Sequence, residues 1–187
     1  FGIISEKGTG SAGNKIVSNI GSINNLGNDT VYIYSNDNRA GAQVTNNTNL
    51  TSTGSYNYGV YSAGEVVNNG NINFGSGYGN VGVYSTLGGT ATNNASIMVG
   101  ESYFDPISSL NNRYAIGMAA GYTPTAAEIA AGKVGYTGNI VNNGVINVTG
   151  KGSIGMYGTG AGTTVYNGTA SNRNAVINLN SSETTGI

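Results

Sequence analysis

The chain contains no cysteine, no histidine and no tryptophan among its 187 residues, and only 2 prolines. Without cysteine there is no disulfide scaffold, thiolate metal site or cysteine nucleophile. Without histidine the commonest general base and the commonest metal ligand are gone. Charge is scarce too, since Asp, Glu, Lys and Arg together make up 8%, against about 25% in ordinary domains. The basic residues Lys7, Lys15, Arg39, Arg113, Lys133, Lys151 and Arg173 stand singly and the net charge is −1. That pattern lacks the basic cluster needed to displace counterions from a nucleic-acid backbone. No apolar run approaches the ~20 residues of a membrane-spanning helix, and the first residues lack the charged-then-apolar layout of a signal peptide. Disorder is a poor account of this composition, because disordered chains are rich in proline and charge. This chain is instead rich in residues that pack and turn, with 13 tyrosines, 32 glycines and 29 asparagines.

A repeat organises those residues. A short apolar-Gly-apolar-Tyr strand recurs as Phe1-Gly2-Ile3-Ile4, Val31-Tyr32-Ile33-Tyr34, Tyr58-Gly59-Val60-Tyr61, Val81-Gly82-Val83-Tyr84, Ile116-Gly117-Met118-Ala119 and Ile154-Gly155-Met156-Tyr157, and restarts at Thr185-Gly186-Ile187. Its second position falls at 2, 32, 59, 82, 117, 155 and 186, so the spacings are 30, 27, 23, 35, 38 and 31. The shortest spacing marks one uninterrupted coil. Between these strands lies a second element, clearest in Val67-Asn68-Asn69-Gly70-Asn71-Ile72-Asn73 and Val141-Asn142-Asn143-Gly144-Val145-Ile146-Asn147. Internal periods of this length signal a solenoid, in which no unit buries its apolar face alone and stacked units make one continuous core.

Period-two alternation predicts that Val81 and Val83, Ile116 and Met118, and Ile154 and Met156 point inward. The same reading turns Ile72 and Phe74, Ile97 and Val99, Ile146 and Val148, and Ile177 and Leu179 inward. No six-residue beat, Gly-Gly-x-Gly-x-Asp nonapeptide or leucine-rich ladder is present. A coil of 23 residues with two or three strands per turn instead fits an all-β, right-handed parallel β-helix of about six coils. The strands centred on Val60, Val83, Met118 and Met156 are expected in parallel register in one sheet, and those on Ile72, Ile97, Ile146 and Ile177 in another. The Asn-Asn pairs 46/47, 68/69, 93/94 and 142/143 read as structural. Asparagine tolerates the left-handed conformation of a sharp corner, and in-register amides bond up a stack.

The two longest spacings, 35 and 38, exceed the basic coil of 23 by 12 and 15 residues, and the excess falls at residues 100–114 and 121–136. In the second, Thr123 is the expected cap of a helix of about two turns that starts at Pro124, runs through Ala126 to Ala131 and stops at Gly132. Insertions in solenoids map to surface loops and often to the binding face. The eight acids, Glu6, Asp29, Asp37, Glu65, Glu101, Asp105, Glu128 and Glu183, fall at different phases of the repeat. The regular stack therefore offers no carboxylate pair of the kind glycosidases use. Catalytic residues, metal ligands and cofactors are not expected. The outward tyrosine row Tyr34, Tyr61, Tyr84 and Tyr157, with Tyr103, Phe104 and Tyr122 from the insertions, supplies the candidate partner-binding residues, since tyrosine offers a large contact area at small entropy cost.

The Gly-Val-Tyr-Ser strands (59–62 and 82–85) together with Val-Asn-Asn-Gly-x-Ile-Asn (67–73 and 141–147) resemble the passenger domains of type V autotransporters, particularly the large fusobacterial outer-membrane adhesins. The resemblance covers nearly the whole chain but rests on repeat style. It implies a β-helical stalk secreted through its own C-terminal barrel and displayed on the bacterial surface. Such a stalk attaches to a protein or glycan receptor on host cells or other bacteria, in an extracellular location, and binds no nucleic acid. A polysaccharide-cleaving β-helix enzyme and a purely structural spacer are the competing readings. An adhesin is favoured over a spacer if the two insertions pack into one protruding aromatic surface. Because the first and last strands share one phase, residues 1–187 are expected to be a single β-helix segment of a longer passenger.

Overall fold

The computed structural model describes residues 2–19 and 21–187. Phe1, the opening residue of the first repeat, lies outside the described residues.

Each coil contributes three short strands. The first holds β1 (Ile3–Ser5), β2 (Lys15–Ser18) and β3 (Ser22–Asn25), and the second β4 (Val31–Ser35), β5 (Gln43–Asn46) and β6 (Asn49–Ser52). Then follow β7 (Tyr58–Ser62), β8 (Glu65–Asn68) and β9 (Ile72–Tyr78), with β10 (Val81–Ser85), β11 (Thr90–Asn93) and β12 (Ser96–Glu101) after them. The fifth coil holds β13 (Ile116–Ala120), β14 (Asn139–Asn142) and β15 (Val145–Val148), and the sixth β16 (Ile154–Gly158), β17 (Thr164–Asn167) and β18 (Val176–Leu179). Every third strand pairs in parallel, giving three six-stranded sheets. Sheet A runs β1-β4-β7-β10-β13-β16, sheet B from β2 to β17 and sheet C from β3 to β18. The chain is therefore a right-handed parallel β-helix, with the expected register of Val60, Val83, Met118 and Met156 in sheet A and of Ile72, Ile97, Ile146 and Ile177 in sheet C. The second repeating element proves to be two strands with the Asn-Asn corner between them.

The core runs along the axis, one layer per coil. Val83 from sheet A, Ala91 from sheet B and Ile97 and Val99 from sheet C are wholly buried in one coil, and Met118, Ile140, Ile146 and Val148 in the next. Leu179 departs from expectation at 48% exposed, because no coil of this chain stacks beyond it.

Strict alternation fails in sheet A. Val81, Ile116 and Ile154 do not join the core cluster. Gly82 points inward together with Val83: a Cβ on it would lie 2.5 Å from the Gly117 carbonyl oxygen and 2.6 Å from the Ile97 side chain. Two consecutive residues thus face the axis, so the residue before them turns outward. Only glycine fits the first of the two wherever a sheet C isoleucine occupies the space. In the second coil that place is held by Tyr32, whose ring packs 5.1 Å from Phe74 in the core and whose hydroxyl donates to the Thr51 carbonyl.

The asparagine corners form two hydrogen-bonded columns of opposite direction. The inner amides are fully buried at Asn46, Asn68, Asn93 and Asn142. There each Nδ2 donates to the Oδ1 of the next coil, at 2.8 to 2.9 Å, ending on Asn167. The outer amides donate the other way, from Asn143 to Asn94 to Asn69 to Asn47 to Asn19. The backbone expectation for these residues was incorrect. Outside glycine, the left-handed region is occupied among the described residues by Asp29, Tyr56, Leu87 and Glu183, and by no asparagine. Asparagine is used here for its amide, since an inner Nδ2 also donates to the carbonyl two residues on, as Asn93 does to Ala95, and its Oδ1 accepts from that residue's N–H.

Candidate functional site

Because Val81 and Ile116 turn outward, the outer face of sheet A is apolar across two columns. One is Tyr58, Val81 and Ile116; the other is Tyr34, Tyr61, Tyr84, Ala119 and Tyr157, in register from strand to strand. The rings pack on one another: Tyr34 and Tyr61 are 5.5 Å apart, Tyr61 and Tyr84 4.9 Å apart edge to face, and Tyr58 lies 5.8 Å from Tyr61. Burial among these rings pushes the Tyr61 phenol up to about 12 and raises Tyr84 likewise, so both remain neutral donors across any physiological range. The Tyr84 hydroxyl donates to the Gly121 carbonyl at 2.7 Å and ties the row to the second insertion.

That insertion leaves sheet A after β13 and enters sheet B at β14. Its neck is closed by reciprocal Tyr122–Tyr136 backbone hydrogen bonds and by their rings, stacked 5.4 Å apart. Its helix α1 (Ala126–Ala130) starts later and is shorter than expected, capped by Thr125 and not Thr123. Thr125 forms a capping box with Glu128, a Thr-x-x-Glu pattern already present in the sequence that satisfies two backbone donors at once. The Thr125 N–H first, and the neighbouring Tyr122 and Lys133 with it, hold the Glu128 carboxyl down to about 2. Lys133 pairs with Glu128 at 2.9 Å. The buried Tyr122 hydroxyl lies beside the Glu128 carboxylate, which raises its pKa.

Between the tyrosine columns and the insertion lies a groove of about 700 Å³. Its floor is Tyr58, Tyr61, Val81, Tyr84, Ile116 and Ala119, and Tyr122, Thr123, Tyr157 and Thr159 stand around it. No charged residue lines it. Four expected residues, Tyr61, Tyr84, Tyr122 and Tyr157, meet here, with Tyr34 stacked on Tyr61. Tyr58, Val81 and Ile116 were missed, because alternation assigned the first residue of each motif to the core.

Tyr103 and Phe104 lie elsewhere. The first insertion leaves sheet C after β12 and enters sheet A at β13, its neck closed by a Tyr103–Arg113 backbone bridge. Tyr103 packs edge to face with Tyr56, and Phe104 with Tyr114. They line a second hollow of about 540 Å³ with Tyr56, Tyr78, Glu101, Ser102 and Lys151. At the tip, the Asp105 carboxylate accepts from the backbone of Ile107 and Ser108 and from Asn111. Ile107 and Leu110 project there, 94% and 86% exposed. The two insertions flank sheet A and line separate hollows, so they do not form the single protruding surface that the sequence raised as a test.

The acids serve structure where their partners are visible. Asp37 is fully buried and grips Arg39 through two guanidinium hydrogen bonds of 2.8 and 2.6 Å, while also accepting from the Asn14 N–H. The Arg39 guanidinium, chiefly through these bonds, holds the Asp37 carboxyl far below the usual range. Lys151 pairs with Glu183 at the surface. Among the described residues no group of three or more Asp or Glu is placed to hold a metal ion.

Coil shape, three parallel sheets and stacked asparagine corners define a pectate-lyase-like β-helix. Within that class, a family profile for the BigA third pectate lyase-like domain matches residues 2–186, and the chain belongs to that family. No curated protein and no solved structure matches it.

Proposed function

We propose that this chain is a non-catalytic segment of a surface-displayed bacterial adhesin, and that the groove on sheet A meets a receptor on host cells or other bacteria. The observation that carries this reading is an uncharged, aromatic groove left open on the flank of a rigid solenoid. Exposed apolar surface of this kind marks interaction sites, and a plain spacer has no use for it. The family supports the same reading, since BigA is an autotransporter-like adhesin. In this reading the segment belongs to a longer extracellular passenger whose parent is held in the outer membrane by a separate barrel.

Glycoside cleavage by the common route uses a pair of carboxyl groups, and the groove lining offers none. The purified chain immobilised on beads is expected to capture receptor-bearing cells, and the double variant Tyr61→Ser/Tyr84→Ser to lose capture while remaining folded by circular dichroism. Equal capture by both proteins, or turnover of pectate or a neutral glucan by the wild type, would refute the proposal.

A further inference from the structure

The tyrosine column on sheet A has one rung missing. Ala119 stands in register between Tyr84 on one side and Tyr157 on the other. Where rings are present they pack 4.9 and 5.5 Å apart, close to the spacing of the strands that carry them. The span from Tyr84 to Tyr157 covers two strand spacings, about 9.6 Å, which is room for one ring in edge-to-face contact with a ring on each side.

The surroundings select what kind of ring. Ile116 and the Ala119 methyl form an apolar floor, and no charged residue lines the groove, which matches a neutral occupant. Part of the polar lining near the gap is already engaged. Tyr84 donates to the Gly121 carbonyl, and the Thr123 and Thr159 hydroxyls are bonded to each other at 2.6 Å. A sugar ring placed there would give up hydration of several hydroxyls for few replacements. An aromatic ring gives up almost none and gains two ring contacts. We propose that this slot takes an aromatic side chain of a protein receptor, which supplies the rung that Ala119 leaves out. The proposal rests on sheet A being the attachment face, but the slot can be measured with free small molecules.

The test is a titration of the whole chain with N-acetyl-L-tyrosinamide and, separately, with methyl β-D-glucoside and methyl β-D-galactoside, following the Ala119 and Ile116 methyl resonances by NMR. The tyrosine derivative is expected to shift both methyls saturably, and the sugars to leave them in place. Ala119→Tyr fills the slot, so binding should weaken by at least about tenfold while the melting temperature holds or rises. Ala119→Leu is a smaller plug that serves if the tyrosine variant fails to fold. Absence of a saturable shift, preference for a sugar, or unweakened binding by a folded plugged variant would overturn the slot. Cell capture is scored apart from this. Capture retained by a folded plugged variant overturns the receptor-ring assignment and leaves the attachment reading intact.

Discussion

Two columns of identical side chains climb this solenoid, and they are held in opposite ways. The inner asparagines are wholly buried, and from Asn68 to Asn142 each has an amide partner above and below. The tyrosines on sheet A are partly exposed, touch through ring edges, and tolerate an alanine in the series. The inner column tolerates a gap poorly, because a missing amide breaks the column bonds of two neighbours where water cannot reach them. A gap in the outer column costs little and opens a space. One arrangement specifies the fold, and the other leaves room for something to bind.

The sharpest way to break this comparison is to remove one rung from each column. Asn93→Ala removes the column bonds to the Asn68 Nδ2 and the Asn142 Oδ1, leaving each with its local backbone partner alone, and takes both side-chain bonds from the Ala95 backbone, so it should cost about 3 kcal/mol in chemical denaturation. The outer neighbour tests position against chemistry. Asn94→Ala should stay within about 0.5 kcal/mol, since water replaces its partners. Similar losses for the two would mean that burial does not separate them.

Gly82 tests whether the inward pair in sheet A is imposed by packing. Gly82→Ala presses a Cβ against the Gly117 carbonyl and Ile97 and should cost about 2 kcal/mol, whereas Gly10→Ala, which meets nothing within 4 Å, should be nearly silent. A tolerant Gly82 would remove the reason given for the outward turn of Val81.

A second buried polar device, Asp37 with Arg39, predicts an acid response. The folded carboxyl titrates far below its ordinary 3.8, so its contribution is present above that value and is lost progressively as pH falls below it towards the folded pKa. Arg39→Met should lower the melting temperature at pH 7 and should flatten the fall in stability below pH 3.8. An unchanged acid profile in that variant would show that the pair is not the source.

The smallest effects belong to the tyrosine face. Tyr84→Phe removes the hydrogen bond to Gly121 and should cost about 1 kcal/mol. Tyr157→Ala, on a ring that is 44% exposed, should stay within about 0.5 kcal/mol. A large loss from Tyr157→Ala would make the outer column as structural as the inner one.

The repeat phase, the parallel pairing, the axial core and the stacking of the Asn-Asn corners were legible in the sequence, because stacking places like residues on like residues and writes each layer into the next. The Thr125–Glu128 capping box was legible too and was overlooked in favour of the threonine before the proline. Other features existed only once the coils were closed. Gly82 and Gly117 face inward against Ile97 and Ile146 from another sheet, and that packing turns Val81 and Ile116 outward to make the groove floor. Likewise, Tyr122 belongs with Tyr84, and Tyr103 with Tyr56, because one insertion precedes β13 and the other follows it, at opposite ends of the same strand. A one-dimensional pattern records which residues recur; which of them share a surface is decided by packing between sheets, where the sequence distance between neighbours carries no information.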